Sequence, residues 1–139
     1  MANAEQLEFG WRFGDSLTPD SFKRVLEERV YRVDFIELDG HGYTIPAFKR
    51  KGIIPLFTIL IKDNDTELEQ QKTLVHEALH IHRGIDLFGK IHNMFNTRNP
   101  VEDLKQREEE EQIEDEAGRF IQAHPQVVRN AMLMYKTTK

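Results

Sequence analysis

The apolar positions from Thr18 onward switch between a helical and a strand period. Phe22, Val25, Leu26 and Val30 recur at helical spacing, which predicts an amphipathic helix from Pro19 to about Val30. Lys23, Arg24, Glu27, Glu28 and Arg29 form its solvated face. Thr18 suits its N-cap and Pro19 its first position. Three strands are then predicted. Tyr31 to Leu38 alternates Tyr31, Val33 and Phe35 with Arg32 and Asp34. Tyr43 to Phe48 is the second, and Pro46 makes it an edge strand or an irregular one. Ile53 to Ile61 is the third and the most apolar stretch of the chain. Asp39-Gly40-His41-Gly42 and Lys49-Arg50-Lys51-Gly52 read as turns, with His41 simply exposed in the first.

Asp63-Asn64-Asp65-Thr66 ends the sheet and can cap a helix from about Glu67 to His82, with Gly84 as its stop. Between Asp86 and Arg98, the positions of Leu87, Phe88, Ile91, Met94 and Phe95 suggest a loose helical turn or a packed loop. Asn99-Pro100 opens a helix that runs from Val101 to about Ala123. Pro125 breaks it, and Gln126 to Tyr135 forms a last helix. Ahead of Thr18, Leu7, Phe9, Trp11 and Phe13 alternate, but Gly10 and Gly14 favour an irregular arm over residues 1–17. Together these elements predict an α+β fold in a single domain, residues 1–139. Its core is a small, mostly antiparallel three-stranded sheet packed on the helix around residues 67–82 and on further helices.

Composition narrows the function classes. A chain of 139 residues can bury a hydrophobic core. A net charge of -5 argues against a direct nucleic-acid grip by phosphate neutralisation. No long apolar run is present to enter a membrane. The absence of cysteine excludes disulfides and thiolate metal sites and fits a reducing cytoplasm. The polar start, Met1 to Gln6, lacks a secretory apolar core, so a cytoplasmic protein is expected.

The chemistry is concentrated in Thr73 to His82. His76-Glu77-Ala78-Leu79-His80 has the H-E-x-x-H spacing. Residues four apart on a helix lie about 40° apart around its axis, so His76 and His80 can share one metal ion. Glu77 lies close by, placed to hold water beside the ion without being forced to ligate it. Leu74, Val75, Ala78, Leu79 and Ile81 supply the opposite, apolar side. Zinc takes neutral imidazole nitrogens, and a catalytic site needs a third protein ligand and one free position. The acidic run Glu108 to Glu116 offers that ligand. Ile113, Ala117, Phe120 and Ile121 define the inward face of its helix. Glu114 borders that face, Glu110 also falls near it, and Glu111 is weaker. Gly118, one turn after Glu114, would let two helices approach closely beside the metal.

A strand, an H-E-x-x-H helix and a later Glu-Asp-Glu-Ala-Gly-Arg-Phe helix resemble the ImmA/IrrE-type zinc metallopeptidases. In that family the second motif is similar to E-x-x-A-x-x-F, here Glu114, Ala117 and Phe120. The resemblance covers about Ile53 to Phe120. It implies a minimal zincin-like domain, zinc on His76, His80 and Glu114, and Glu77 as general base. It also implies a protein or peptide substrate such as a transcriptional repressor. The sequence departs from the family after Phe120, reading Ile121-Gln122-Ala123-His124-Pro125 where a small residue, a Leu-Leu pair and a Pro are common. The interval from His80 to Glu114 is also longer than in the family.

A zinc peptidase of this kind needs a strand edge for the substrate backbone, and Ile53 to Ile61 is the candidate. It also needs a donor for the developing oxyanion, with His82, His92, His124, Tyr43 and Tyr135 as candidates. The alternative function is a catalytically silent module that keeps the fold and metal but docks a partner. A purely structural metal site is disfavoured, because cysteine is absent and no fourth ligand is evident.

Overall fold

Residues 16–52, 54–83 and 100–137 are described by a computed structural model, with side chains in the last segment given from residue 107 onward except at 109. The expectations for the N-terminal arm, Gly84 and residues 86–98 lie outside the described residues. The elements in chain order are α1 (Pro19–Glu28), β1 (Val30–Ile36), β2 (Gly42–Lys51) and β3 (Ile54–Lys62), followed by α2 (Glu67–Arg83), α3 (Pro100–Ala123) and α4 (Pro125–Thr137). The fold is α+β, a three-stranded sheet with four helices among the described residues.

Local chemistry explains the helix starts. The Thr18 hydroxyl accepts from the Ser21 backbone N–H while Ser21 Oγ accepts from the Thr18 N–H, a capping box ahead of Pro19. Thr66 Oγ1 accepts from the Glu69 N–H and so caps α2. Phe22, Val25 and Leu26 are buried on one side of α1, as its period predicts.

The sheet is mixed, with strand order β1-β3-β2, which corrects the mostly antiparallel expectation. β3 runs parallel to β1 and antiparallel to β2. The most apolar strand takes the centre, where Phe57, Thr58, Ile59 and Ile61 are all buried. The 37–41 connection therefore arches over the end of β3 instead of closing a hairpin. There the Asp63 N–H donates to the Ile36 carbonyl and the Lys62 N–H to the His41 carbonyl. β2 is an edge strand, as Pro46 predicts. Its register slips between Pro46 and Arg50, where Phe48 has φ 57°.

Helix α2 packs against β2, β3 and each of the other helices. Leu74, Val75, Ala78 and Leu79 have no exposed surface and Ile81 almost none. Each large aliphatic buried this way contributes roughly 1.5–3 kcal/mol relative to exposure. Helix α3 turns Ile113, Ala117, Phe120 and Ile121 inward, the face its period predicts. Gly118 is not a close-approach point. A Cβ built there meets nothing within 4 Å, because the residue points away from the packed face. The close approach occurs at Gly42, where a Cβ would collide with Thr73 Cγ2 and sit 2.6 Å from the Leu60 carbonyl oxygen.

Candidate metal centre

Helix α2 supplies two imidazoles and α3 a carboxylate, and the two helices pack side by side. One turn of helix separates His76 from His80, and their Nε2 atoms lie 3.1 Å apart. Glu110 straddles both, with Oε2 2.9 Å from His76 Nε2 and Oε1 2.8 Å from His80 Nε2. Ligands 2.0–2.1 Å from a tetrahedral zinc are separated by about 3.3–3.4 Å. One ligand atom from each of the three side chains lies within 4.8 Å of the other two, near enough for a single ion to draw them together. Two nitrogens and a carboxylate converge on one point, and both histidine side chains are largely buried. This nitrogen, nitrogen, oxygen set suits a divalent ion, and among the described residues it is the cluster that can hold one.

Glu114, the expected third ligand, lies on the other edge of the same ring. Its Oε2 is 2.9 Å from His76 Nδ1, and its Oε1 is 3.6 Å from Lys72 Nζ. The structure thus brings His76 and His80 together as expected but completes the cluster with Glu110. Glu110 and Glu114 are one turn apart on α3, so both reach His76 from the same helix face.

Glu77 is buried and accepts a 2.7 Å hydrogen bond from Thr44 Oγ1 of β2. Its Oε2 is 3.9 Å from His76 Nε2. Thr44 can reach it because Gly42 lets the start of β2 press against α2 at Thr73. Glu77 is therefore fixed beside the cluster without entering it. A cleft of about 210 Å³ opens here, and His41, Lys72, Thr73, His76, Glu77 and Glu114 are among its walls.

Electrostatics couples the two helices. Burial alone would lower the His76 pKa, but the Glu110 hydrogen bond and the charges of Glu77, Glu110 and Glu114 raise it above the ordinary value. Burial alone would raise the Glu110 pKa, yet the hydrogen bonds and charges of His76 and His80 hold it far below the usual carboxylate range.

The expected oxyanion donors fall elsewhere. His124 packs at a tilt against Phe120, with ring centroids 5.1 Å apart. Tyr135 packs against the hydrophobic core from α4. Neither these two nor His82 and Tyr43 line the cleft, and His92 lies outside the described residues. The sequence pattern missed Thr44, Lys72 and His41. Thr44 carried a signal, as a polar residue at an inward strand position. Lys72 carried one too, a turn before His76 on the same helix face. His41 carried none, since its partner lies 24 residues away.

The fold and the cluster together define a small α+β domain with a His/His/Glu site able to bind a metal ion. Comparison of the chain with protein-family models, curated proteins and solved structures gives no match in any of the three.

Proposed function

We propose that the chain is a zinc-dependent metallopeptidase that hydrolyses peptide bonds of an intracellular protein. The observation that carries this is the His76, His80 and Glu110 cluster with the fixed carboxylate of Glu77 beside it, His76 and Glu77 also forming part of the wall of an open cleft. The H-E-x-x-H spacing and the later Glu-Asp-Glu-Ala-Gly-Arg-Phe helix, which resemble the ImmA/IrrE-type zincins, support it from the sequence. By the same resemblance the substrate is a regulatory repressor.

Zinc bound by two imidazoles and one carboxylate supplies a Lewis acid that polarises a carbonyl and makes water more acidic. Glu77 takes a proton from the attacking water and passes it to the leaving amine nitrogen as the C–N bond breaks. The Thr44 hydrogen bond aims one Glu77 oxygen and leaves the other on the side of His76. Glu114 places its charge 2.9 Å from the far ring nitrogen of His76 without meeting hydrogen-bond geometry there, the position from which carboxylates commonly support metal-binding histidines. β3 cannot receive the substrate backbone, because both of its sides are paired. β2 offers the edge beside the cleft, and an extended peptide adds there as a further strand.

The test is Glu77→Gln. Proteolysis should fall by about 10²–10⁴-fold, the usual worth of a positioned general base. Zinc content, read by elemental analysis, should remain that of the unaltered protein. A variant with full turnover would exclude this role for Glu77. A docking module would lose nothing in partner binding from the same change.

A further inference from the structure

We propose that the joined ends of β2 and β3 dock the protein on an anionic lipid surface, with Phe48 entering the headgroup layer and Lys49, Arg50 and Lys51 meeting the phosphates. The cleft beside the metal centre lies at Gly42, the other end of β2, and plays no part in this contact.

β1 begins at Val30, opposite Phe57 of β3. Beyond that point β2 and β3 pair with each other, Arg50 with Pro55 and Lys51 with Ile54. The two strands thus run on as a ribbon past the start of β1. The ribbon has little to pack on. Phe48 is 93% exposed and Ile54 40%. Lys49, Arg50, Lys51, Gly52 and Pro55 are exposed as well. A Cβ built at Gly52 meets nothing within 4 Å. Phe48 also has φ 57°, in the left-handed region that bulky residues rarely adopt. Core packing does not explain a strained backbone that presents an aromatic ring to water, and such strain gathers at functional positions.

Charge points to the partner. The chain has no Asp or Glu from Gly40 to Lys62, although its net charge is -5. Lys49, Arg50 and Lys51 therefore form a cationic island in an acidic protein. The Lys49 ammonium lies 6.0 Å from the centre of the Tyr31 ring. Among the described residues no ion pair engages any of the three cations. At physiological salt, acids further off than about 8 Å are largely screened.

The apolar side chains decide among polyanions. Nucleic acid offers phosphates to the cations and bases to the Phe48 ring, but nothing to Ile54 and Pro55. An acidic protein would have to supply a pocket for each of the three. A bilayer interface takes them all without one. Apolar groups sink below the phosphates, and the lysine and arginine stems reach back to them. Among the described residues no helix is long and apolar enough to cross a membrane, so the contact is peripheral.

The test is sedimentation of the full chain with vesicles of equimolar phosphatidylcholine and phosphatidylserine, against vesicles of phosphatidylcholine alone. The protein should sediment with the first and stay in solution with the second. Each cation near an anionic surface is worth about five-fold in binding. Replacing Lys49, Arg50 and Lys51 together by Gln should weaken binding on the order of 10²-fold. Phe48→Ser should cost about ten-fold, for a ring that leaves water in part. Lys23→Gln, which removes an exposed cation of α1, should cost nothing. All of these side chains are exposed, so urea midpoints should stay close to that of the unaltered protein. No sedimentation with anionic vesicles, or equal sedimentation with both kinds, would overturn the proposal. So would full binding by the triple variant or by Phe48→Ser, or an equal loss from Lys23→Gln and Lys49→Gln. Binding to polyglutamate or duplex DNA in preference to the vesicles would assign the ribbon to another class of partner and overturn it too.

Discussion

Two glutamates one turn apart compete for the same histidine. Glu110 faces the two Nε2 atoms that a metal would use, and Glu114 faces the outer nitrogen of His76. The two placements predict different losses. Removing a ligand leaves an open coordination position, whereas removing a carboxylate that only neighbours a ligand costs at most about 10–100-fold in metal affinity. Glu110→Ala should therefore lose zinc more readily than Glu114→Ala in competition against a chelator. The reverse order would make Glu114 the ligand, as the family resemblance assigns. The histidine pair was legible in the sequence, because a four-residue spacing fixes relative direction within one helix. The choice of acid was not legible. It depends on how far α3 slides along α2, and that is decided by the packing of Ile113 and Ala117.

At the level of elements, two glycines were open to the same argument, and the structure separates them. Gly42 is where β2 meets α2, and one of the atoms in its way is the Leu60 backbone oxygen, which cannot rotate aside. Gly42→Ala should push β2 from α2, destabilise the protein by about 1–3 kcal/mol and draw Thr44 away from Glu77. Gly118 lies in a helix with open space around it. Gly118→Ala should stabilise the protein by roughly 0.5–1 kcal/mol, the helix cost of glycine against alanine. Denaturant midpoints measured for both variants check the two signs together. The helix boundaries were legible because caps and prolines act locally. The parallel pairing of β1 with β3 was not, since it brings together Val33 and Ile59 across the whole of β2. The same pairing decides that β2, and not the most apolar strand, has an edge to offer.

The last turn of α4 ties the molecule together. Lys136 donates a 2.7 Å hydrogen bond to Gln70 at the start of α2, and its ammonium lies 5.5 Å from the Phe35 ring of β1. The neighbouring Tyr135 packs against the core and feels the charge of Glu27 on α1. Burial first, and then Glu27, push the phenol up to about 12 from its ordinary value of 10.0. The neutral phenol is favoured by the fold, so the sign follows from linkage. Its contribution is complete below the unfolded value of 10.0 and is lost as the pH rises through about 12. Stability should therefore fall between these limits as the phenolate is forced beside Glu27. In Tyr135→Phe that part of the fall should be absent, because no proton is released at this position. Unfolding midpoints of both proteins across the interval test this, with tyrosine ionisation followed by ultraviolet absorbance. Identical alkaline profiles would mean that the α4 closure does not sense the phenol. The same closure reaches Gln70, six residues before His76 on the helix that carries both histidines.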